Sequence, residues 1–288
     1  MHEFELWDNA PIDASLMSDK RVLIVGGGKM GTAILDGFVN LFAAGQLCVC
    51  EPDEMQRVEL ALRYPGLVTV PSLAQIDDHT YGADDWIILA VKPQIMDEVL
   101  DDINRIGCQA LVISVAVGIS IERLAASLPL ATIIRLMPNL PVTIGEGMVL
   151  IAPGSRATDR QIDEVASACF ELGDISLIEE RDIDVCAAIS GSGPAYVALF
   201  IEALEQAAIN AGLPAELARD LVITTLIGTA DLIDVTGDEP ATLAKAVQSP
   251  GGTTERAVAV LAEADLPGLF DRAVQAAIAR AAELRDGA

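Results

Sequence analysis

The chain has 288 residues, 52% of them hydrophobic, which is enough for a sizeable core and favours two ordinary domains over one. Its formal net charge of −25 argues against nucleic acid or an anionic membrane as partner, because both present phosphates that such a surface repels. The five cysteines (Cys48, Cys50, Cys108, Cys169, Cys186) are odd in number, lie in apolar stretches and form no CxxC pair, which predicts reduced core thiols in a cytoplasmic protein and no metal centre.

Residues 1–19 read as an acidic tail, with Glu3, Glu5, Asp8 and Asp13 where a signal peptide needs positive charge. No later stretch offers about 18 uninterrupted apolar residues of membrane-span character. Residues 21–25 read as a short apolar strand running into Gly26-Gly27-Gly28-Lys29-Met30-Gly31 and then a helix over 32–43. This is GxGxxG between a strand and a helix, the context a pyrophosphate site requires: one glycine for the turn, one for close approach and one for helix packing. A second strand over 46–50 ends in Glu51, about 20 residues past the last glycine, where a carboxylate can accept the ribose hydroxyls. Glu51, with Asp53 and Glu54 beside it, repels a 2′-phosphate, whereas Arg57 or Lys29 could reach one; the balance favours NADH over NADPH.

Buried strands of parallel type recur at 86–91 and 110–115 and continue at 132–136 and 148–151, with helices such as 53–63 and 121–128 between them. That alternation is the pattern of a doubly wound α/β sheet. Ligands bind at the carboxyl ends of such strands, so the candidate loops are Ala90-Val91-Lys92-Pro93-Gln94, Ser114-Val115-Ala116-Val117-Gly118 and Met137-Pro138-Asn139-Leu140-Pro141. Lys92 reads as a structural or cofactor-facing charge rather than a catalytic ammonium.

A last helix and strand occupy 161–178, and from Asp182 onward nearly everything is helical, placing the domain boundary near residue 180. The expected units are a Rossmann-type dinucleotide-binding domain over 20–180 and an all-helical domain over 181–288. Helices over 194–211 and 214–235 are apolar on more than one face and need a partner on each side, which predicts dimerisation. Gly191-Ser192-Gly193-Pro194 reads as a break with a serine-capped helix start. Ser249-Pro250-Gly251-Gly252-Thr253-Thr254 places bare amides and three hydroxyls just before an apolar helix beginning near Glu255. It reads either as a cap by Ser249 or Thr253, or as a carboxylate-binding turn that presents the amides of Gly251, Gly252, Thr253 and Thr254.

Three segments carry a family resemblance: Ile88-Leu89-Ala90-Val91-Lys92-Pro93-Gln94, Gly191-Ser192-Gly193-Pro194-Ala195-Tyr196 and Ser249-Pro250-Gly251-Gly252-Thr253-Thr254. In order and spacing the chain resembles pyrroline-5-carboxylate reductases over roughly residues 20 to 285. The resemblance implies hydride transfer from NAD(P)H to C5 of the cyclic imine 1-pyrroline-5-carboxylate, giving L-proline. It also implies a helical domain that interlocks with a second subunit, as a homodimer or an oligomer of dimers. By the same resemblance Val25, Gly26, Gly27, Gly28, Lys29 and Met30 form the pyrophosphate loop, and Ala90, Val91, Lys92, Pro93, Val115, Ala116 and Val117 are further cofactor contacts. Ser249, Gly251, Gly252 and Thr253 belong to the substrate loop, and Thr254 matches the threonine at the substrate ring nitrogen. No catalytic histidine is expected, since a protonated imine accepts hydride without a dedicated base; His2 and His79 read as surface residues. Lys29, Gly31, Leu140 and Arg256-Ala257 depart from the family's common residues without removing a group that this chemistry needs. A β-hydroxyacid or prephenate dehydrogenase would use a lysine or histidine on the helical domain, where Lys245 is the one candidate. A non-catalytic dinucleotide sensor would have no use for the Ser249 to Thr254 turn.

Overall fold

The computed structural model describes residues 17–43, 45–77 and 80–286; the expectations for residues 1–16, including His2, and for His79 lie outside them. The chain divides into two compact units, the second being Gly193–Ala276; the first ends at Ser192 and takes up the chain again from Ala277.

The first unit is built on strands β1 (Val22–Val25), β2 (Leu47–Cys50), β3 (Val68–Val70), β4 (Trp86–Leu89), β5 (Leu111–Ser114), β6 (Thr132–Pro138), β7 (Gly147–Pro153) and β8 (Gly173–Leu177). Its helices are α1 (Lys29–Phe38), α2 (Glu54–Arg63), α3 (Met96–Arg105), α4 (Ile121–Ser127), α5 (Asp159–Cys169) and α6 (Ile183–Cys186). The strands form one sheet in the order β3-β2-β1-β4-β5-β6-β7-β8. Alternation decides which residues go to which face: Val22 and Ile24 join a core with Ala33, Ile34 and Phe38 of α1 and Val165 and Cys169 of α5. Leu23 and Val25 point the other way, to Met96, Leu100 and Ile103 of α3 and Leu124 of α4. Helices on both faces make this the doubly wound sheet expected.

One expectation for the sheet needs correction. Strand β7 does not continue the parallel series but pairs antiparallel with β6, Leu136 facing Ile151. The connection over 139–146 holds only a short 3-10 turn, Leu140–Ile144, and a parallel return needs a crossover of a dozen residues or more. The segment after β8 is tied to the sheet. Glu180 accepts hydrogen bonds from the Arg135 side chain and the Ile121 N–H, both at 2.7 Å, and Ile183 is buried with Leu150, Ala152 and Ile178.

Buried polar groups at the opposite end of the strands are matched in pairs. Lys20 and Glu164 are both almost fully enclosed, 2.9 Å apart, and Glu164 also accepts from Arg160 at 2.8 Å. Removing one partner leaves an uncompensated buried charge. Glu164→Ala is therefore expected to lower stability by about 3–5 kcal/mol, read as a shifted denaturant midpoint with an unchanged slope; a loss within 1 kcal/mol would show that Lys20 finds water or another partner. The thiols are free, as expected, and four of them are buried, while Cys186 is only half-buried. Burial pushes Cys48 up to about 11 and Cys50 and Cys169 up to about 12, which keeps them protonated and unreactive.

The second unit holds α7 (Gly193–Asn210), α8 (Ala215–Thr236), α9 (Pro240–Ala246) and α10 (Thr253–Glu263), and α11 (Leu266–Asp286) leads back to the first. Gly191 to Pro194 do not break the chain or start a serine-capped helix. Residues Ala187–Gly191 form a π turn, with the Ser192 N–H bonded to the Ala187 carbonyl, so the helix passes through. The resulting run, Glu180–Asn210, has a window of mean hydropathy 1.4 that is 11% buried, and it is long and apolar enough to cross a membrane by length and composition alone. Reading a break at Gly191 hid that property in the sequence. Among the described residues of α7 to α11, only Ala218 and Val222 are buried hydrophobics, while Leu199, Phe200, Leu221, Ile227 and Val260 stand exposed. A helical unit with so little core of its own leaves a large apolar surface uncovered.

Candidate active site

The sheet order reverses between β1 and β4, and there the ends of β1, β2, β3 and β4 open a cleft of about 720 Å³. Each glycine of the loop after β1 has a separate physical reason. Gly26 turns with φ +103°, and a β-carbon there would lie 2.6 Å from the Ala90 carbonyl oxygen. A β-carbon on Gly31 would collide with the Gly26 carbonyl, so that residue lets α1 pack against the turn. Gly28 is the exception, since a β-carbon there meets nothing of the protein within 4 Å. It caps α1 without a side-chain hydrogen bond, leaving the amides at the positive end of the helix facing open space.

Val25, Gly26, Gly28, Lys29, Met30 and Glu51 line this cleft, together with Ala90, Val91 and Lys92 after β4. Gly27 does not line it; it is buried behind the loop, its N–H donating to Glu51 Oε2 at 2.8 Å. Glu51 Oε1 accepts from the Asp53 N–H at 2.9 Å, so this carboxylate braces the glycine loop as well as facing the cleft. Arg57 donates to the backbone carbonyls of Glu51 and Pro52 at 2.8 and 2.7 Å, which holds its guanidinium beside the end of β2. Pro93 starts a short 3-10 turn outside the lining. Val115, Ala116 and Val117 also fall outside it, in the loop after β5, where the Val115 N–H bonds to the Leu89 carbonyl and Ser114 Oγ accepts from the Ala116 N–H.

Sequence reading missed part of the wall: Pro71, Ser72 and Leu73 after β3, and Ile95, Glu98, Val99 and Asp102 from α3 and the turn before it. Strand β3 is three half-exposed residues long and gives almost no apolar signal, so the loop at its end could not be placed. The residues of α3 were recoverable, because apolar Met96, Val99, Leu100 and Ile103 at helical spacing put Glu98 and Asp102 on the other side.

In the helical unit, the Ser249 to Thr254 turn differs from both readings of the sequence. Helix α10 starts at Thr253, not near Glu255, and Gly252 caps it with no side-chain hydrogen bond from Ser249 or Thr253. Nor are all four amides presented. The Gly252 N–H bonds to the Ser249 carbonyl at 2.8 Å, and the Gly251 N–H, where φ is +71°, donates to Glu255 Oε2 at 2.6 Å. Thr253 and Thr254 remain at the helix start, where an N–H has no carbonyl four residues back within the helix. The Thr254 side chain is half-buried there and that of Thr253 exposed.

Residues 180–284 match the family described as pyrroline-5-carboxylate reductase dimerisation, and residues 21–118 match that described as NADP oxidoreductase, coenzyme F420-dependent. A pyrroline-5-carboxylate reductase of a Synechocystis species is 37% identical over 263 residues, covering 91% of this chain and 97% of the relative. The chain belongs to the pyrroline-5-carboxylate reductase family. Among solved structures, the Plasmodium falciparum pyrroline carboxylate reductase with NADP bound aligns at TM-score 0.83 and 29% identity, over 93% of this chain and 99% of that one. The Coxiella burnetii pyrroline-5-carboxylate reductase aligns at TM-score 0.82 and 32% identity, over 92% and 98%. For this pyrroline-5-carboxylate reductase family member, the dimerisation match runs from just before α6 into α11, as far as residue 284, with the Ser249 to Thr254 turn inside it.

Proposed function

We propose that this chain reduces 1-pyrroline-5-carboxylate to L-proline, with a reduced nicotinamide dinucleotide bound in the cleft at the switch point of the sheet. The glycine loop carries the reading: an open face at Gly28, uncapped amides at the start of α1 and the ammonium groups of Lys29 and Lys92 suit a pyrophosphate. The dinucleotide supplies the hydride. The rest of the chemistry falls to the protein, which has to hold an imine already activated by protonation at nitrogen. Ser249, Gly251, Gly252, Thr253 and Thr254 receive the substrate, its carboxylate on the turn's amides and its ring nitrogen against the Thr254 hydroxyl. As hydride adds to C5, the carbon–nitrogen double bond becomes single and the nitrogen keeps its proton as an amine. No alkoxide forms, and positioning is the main demand.

NADH is the proposed donor, because Glu51 sets a negative charge beside the ribose and the Arg57 guanidinium is committed to two backbone carbonyls. Glu51→Ser is expected to raise the NADPH to NADH ratio of kcat/KM by about tenfold or more, at some loss with both because Gly27 loses its acceptor. A ratio unchanged by the substitution would remove Glu51 from cofactor choice. The exposed apolar helices support a second copy of the chain as their cover, and the buried free thiols suit a cytoplasmic setting. The whole reading is tested by oxidation of NADH and NADPH with 1-pyrroline-5-carboxylate, a six-membered imine acid and prephenate. Turnover confined to the five-membered imine is expected; tight dinucleotide binding without turnover would defeat it.

A further inference from the structure

The Gly251 N–H is already occupied by a carboxylate, and that carboxylate belongs to the protein. Glu255 is the third residue of α10 and reaches back past the cap, its Oε2 2.6 Å from the Gly251 nitrogen. In the ordinary capping arrangement a glutamate at this position accepts from the N–H of the cap residue itself. Here the cap is Gly252, and its N–H is taken by the Ser249 carbonyl at 2.8 Å, so Glu255 lands one residue earlier. The Glu255 side chain is exposed, and among the described residues no cation stands within ion-pair distance of it. A charge-assisted bond to one amide is what holds it.

We propose that Glu255 is an internal competitor for the substrate's carboxylate and so sets the affinity for the imine acid, an inference that rests on the reading of this turn as the carboxylate site. One N–H cannot serve two carboxylates at full strength, and two like charges on one turn repel. The substrate has to displace Glu255 from Gly251 before its own acid group can settle. The displacement costs binding and leaves the reacting carbon untouched, so it appears in KM and not in kcat. A ring without a carboxylate pays no such penalty, which makes Glu255 a residue that discriminates by the acid group.

Glu255→Ala and Glu255→Gln are compared with the unaltered protein in steady-state assays with 1-pyrroline-5-carboxylate and with 1-pyrroline, the same ring lacking its acid. Inhibition by L-proline is measured alongside. The KM for the imine acid is expected to fall about three- to tenfold in both variants, and the inhibition constant of proline with it. The KM for the dinucleotide and for 1-pyrroline should stay within about twofold. The glutamine variant keeps the length of the side chain and a carbonyl that can still cap α10, so a folding defect confined to the alanine variant does not obscure the result. A KM for the imine acid that is unchanged or higher in both variants, or a fall of equal size for 1-pyrroline, overturns the proposal and leaves Glu255 as a helix cap. Absence of turnover by the unaltered protein with the imine acid overturns the functional reading as well, which separates the two failures.

Discussion

Gly26→Ala is expected to weaken dinucleotide binding by about a hundredfold or more, equivalent to roughly 2.7 kcal/mol. Two costs combine at this position. The backbone holds φ +103°, a conformation that an alanine side chain resists at about 1–2 kcal/mol, and the new methyl group would lie 2.6 Å from the Ala90 carbonyl oxygen and 2.9 Å from its carbon. Those neighbours are backbone atoms and cannot rotate away. The Ala90 N–H bonds to the Val25 carbonyl at 2.9 Å and the Gly26 N–H to the Cys50 carbonyl at 2.8 Å, so relief has to come from shifting the ends of β1, β2 and β4 together. Calorimetric titration with NADH reads the affinity and thermal melting reads the strain, which should lower Tm. Gly28→Ala is the matched control. Its methyl group meets no protein atom within 4 Å, so Tm should hold while affinity falls by about tenfold from crowding of the phosphates. Wild-type affinity in both variants would show that the dinucleotide does not lie on this loop.

Thr254→Ala should lower kcat/KM by about tenfold to a few hundredfold while dinucleotide affinity stays unchanged. Thr254 is the second residue of α10, half-buried at an end of the helix where Gly251 and Gly252 have already found partners for their amides. Its N–H and hydroxyl lie side by side there, one suited to an anion and the other to a ring nitrogen. The alanine variant keeps the N–H and removes only the hydroxyl, so the loss should fall mainly on kcat if the contact matures during hydride transfer. Thr254→Ser, which keeps the hydroxyl, should recover most of the rate. Retention of wild-type kcat/KM by Thr254→Ala would mean that the ring nitrogen is oriented by some other group.

Much of the first unit was legible because a buried parallel strand has to be apolar along its whole length. Val22 to Val25, Trp86 to Leu89 and Leu111 to Ser114 are buried at every position and stand out as short apolar runs between turns. The glycine loop was legible for a related reason, since only residues without a β-carbon fit at Gly26 and Gly31. The errors fell where the local signal was thin or pointed two ways. Strand β3 is too short and too exposed to leave a pattern, and with it went the Pro71 to Leu73 part of the cleft wall. Gly191 to Pro194 looks like punctuation, yet the π turn carries the helix through, because a carbonyl five residues back is available where one four back is not used.

Taken alone, the sequence determined the doubly wound sheet, the position of the glycine loop and the apolar character of the helices on more than one face, since periodicity, glycine and hydrophobicity act over a few neighbouring residues. Tertiary structure decided what those groups do to one another. It turned β7 antiparallel, gave Glu51 to the Gly27 and Asp53 amides, and set Glu255 on the amide of Gly251. Hydrogen bonds of this kind depend on distances of about 3 Å between groups whose placement follows from the packing of whole strands and helices, and no local pattern in the chain encodes them.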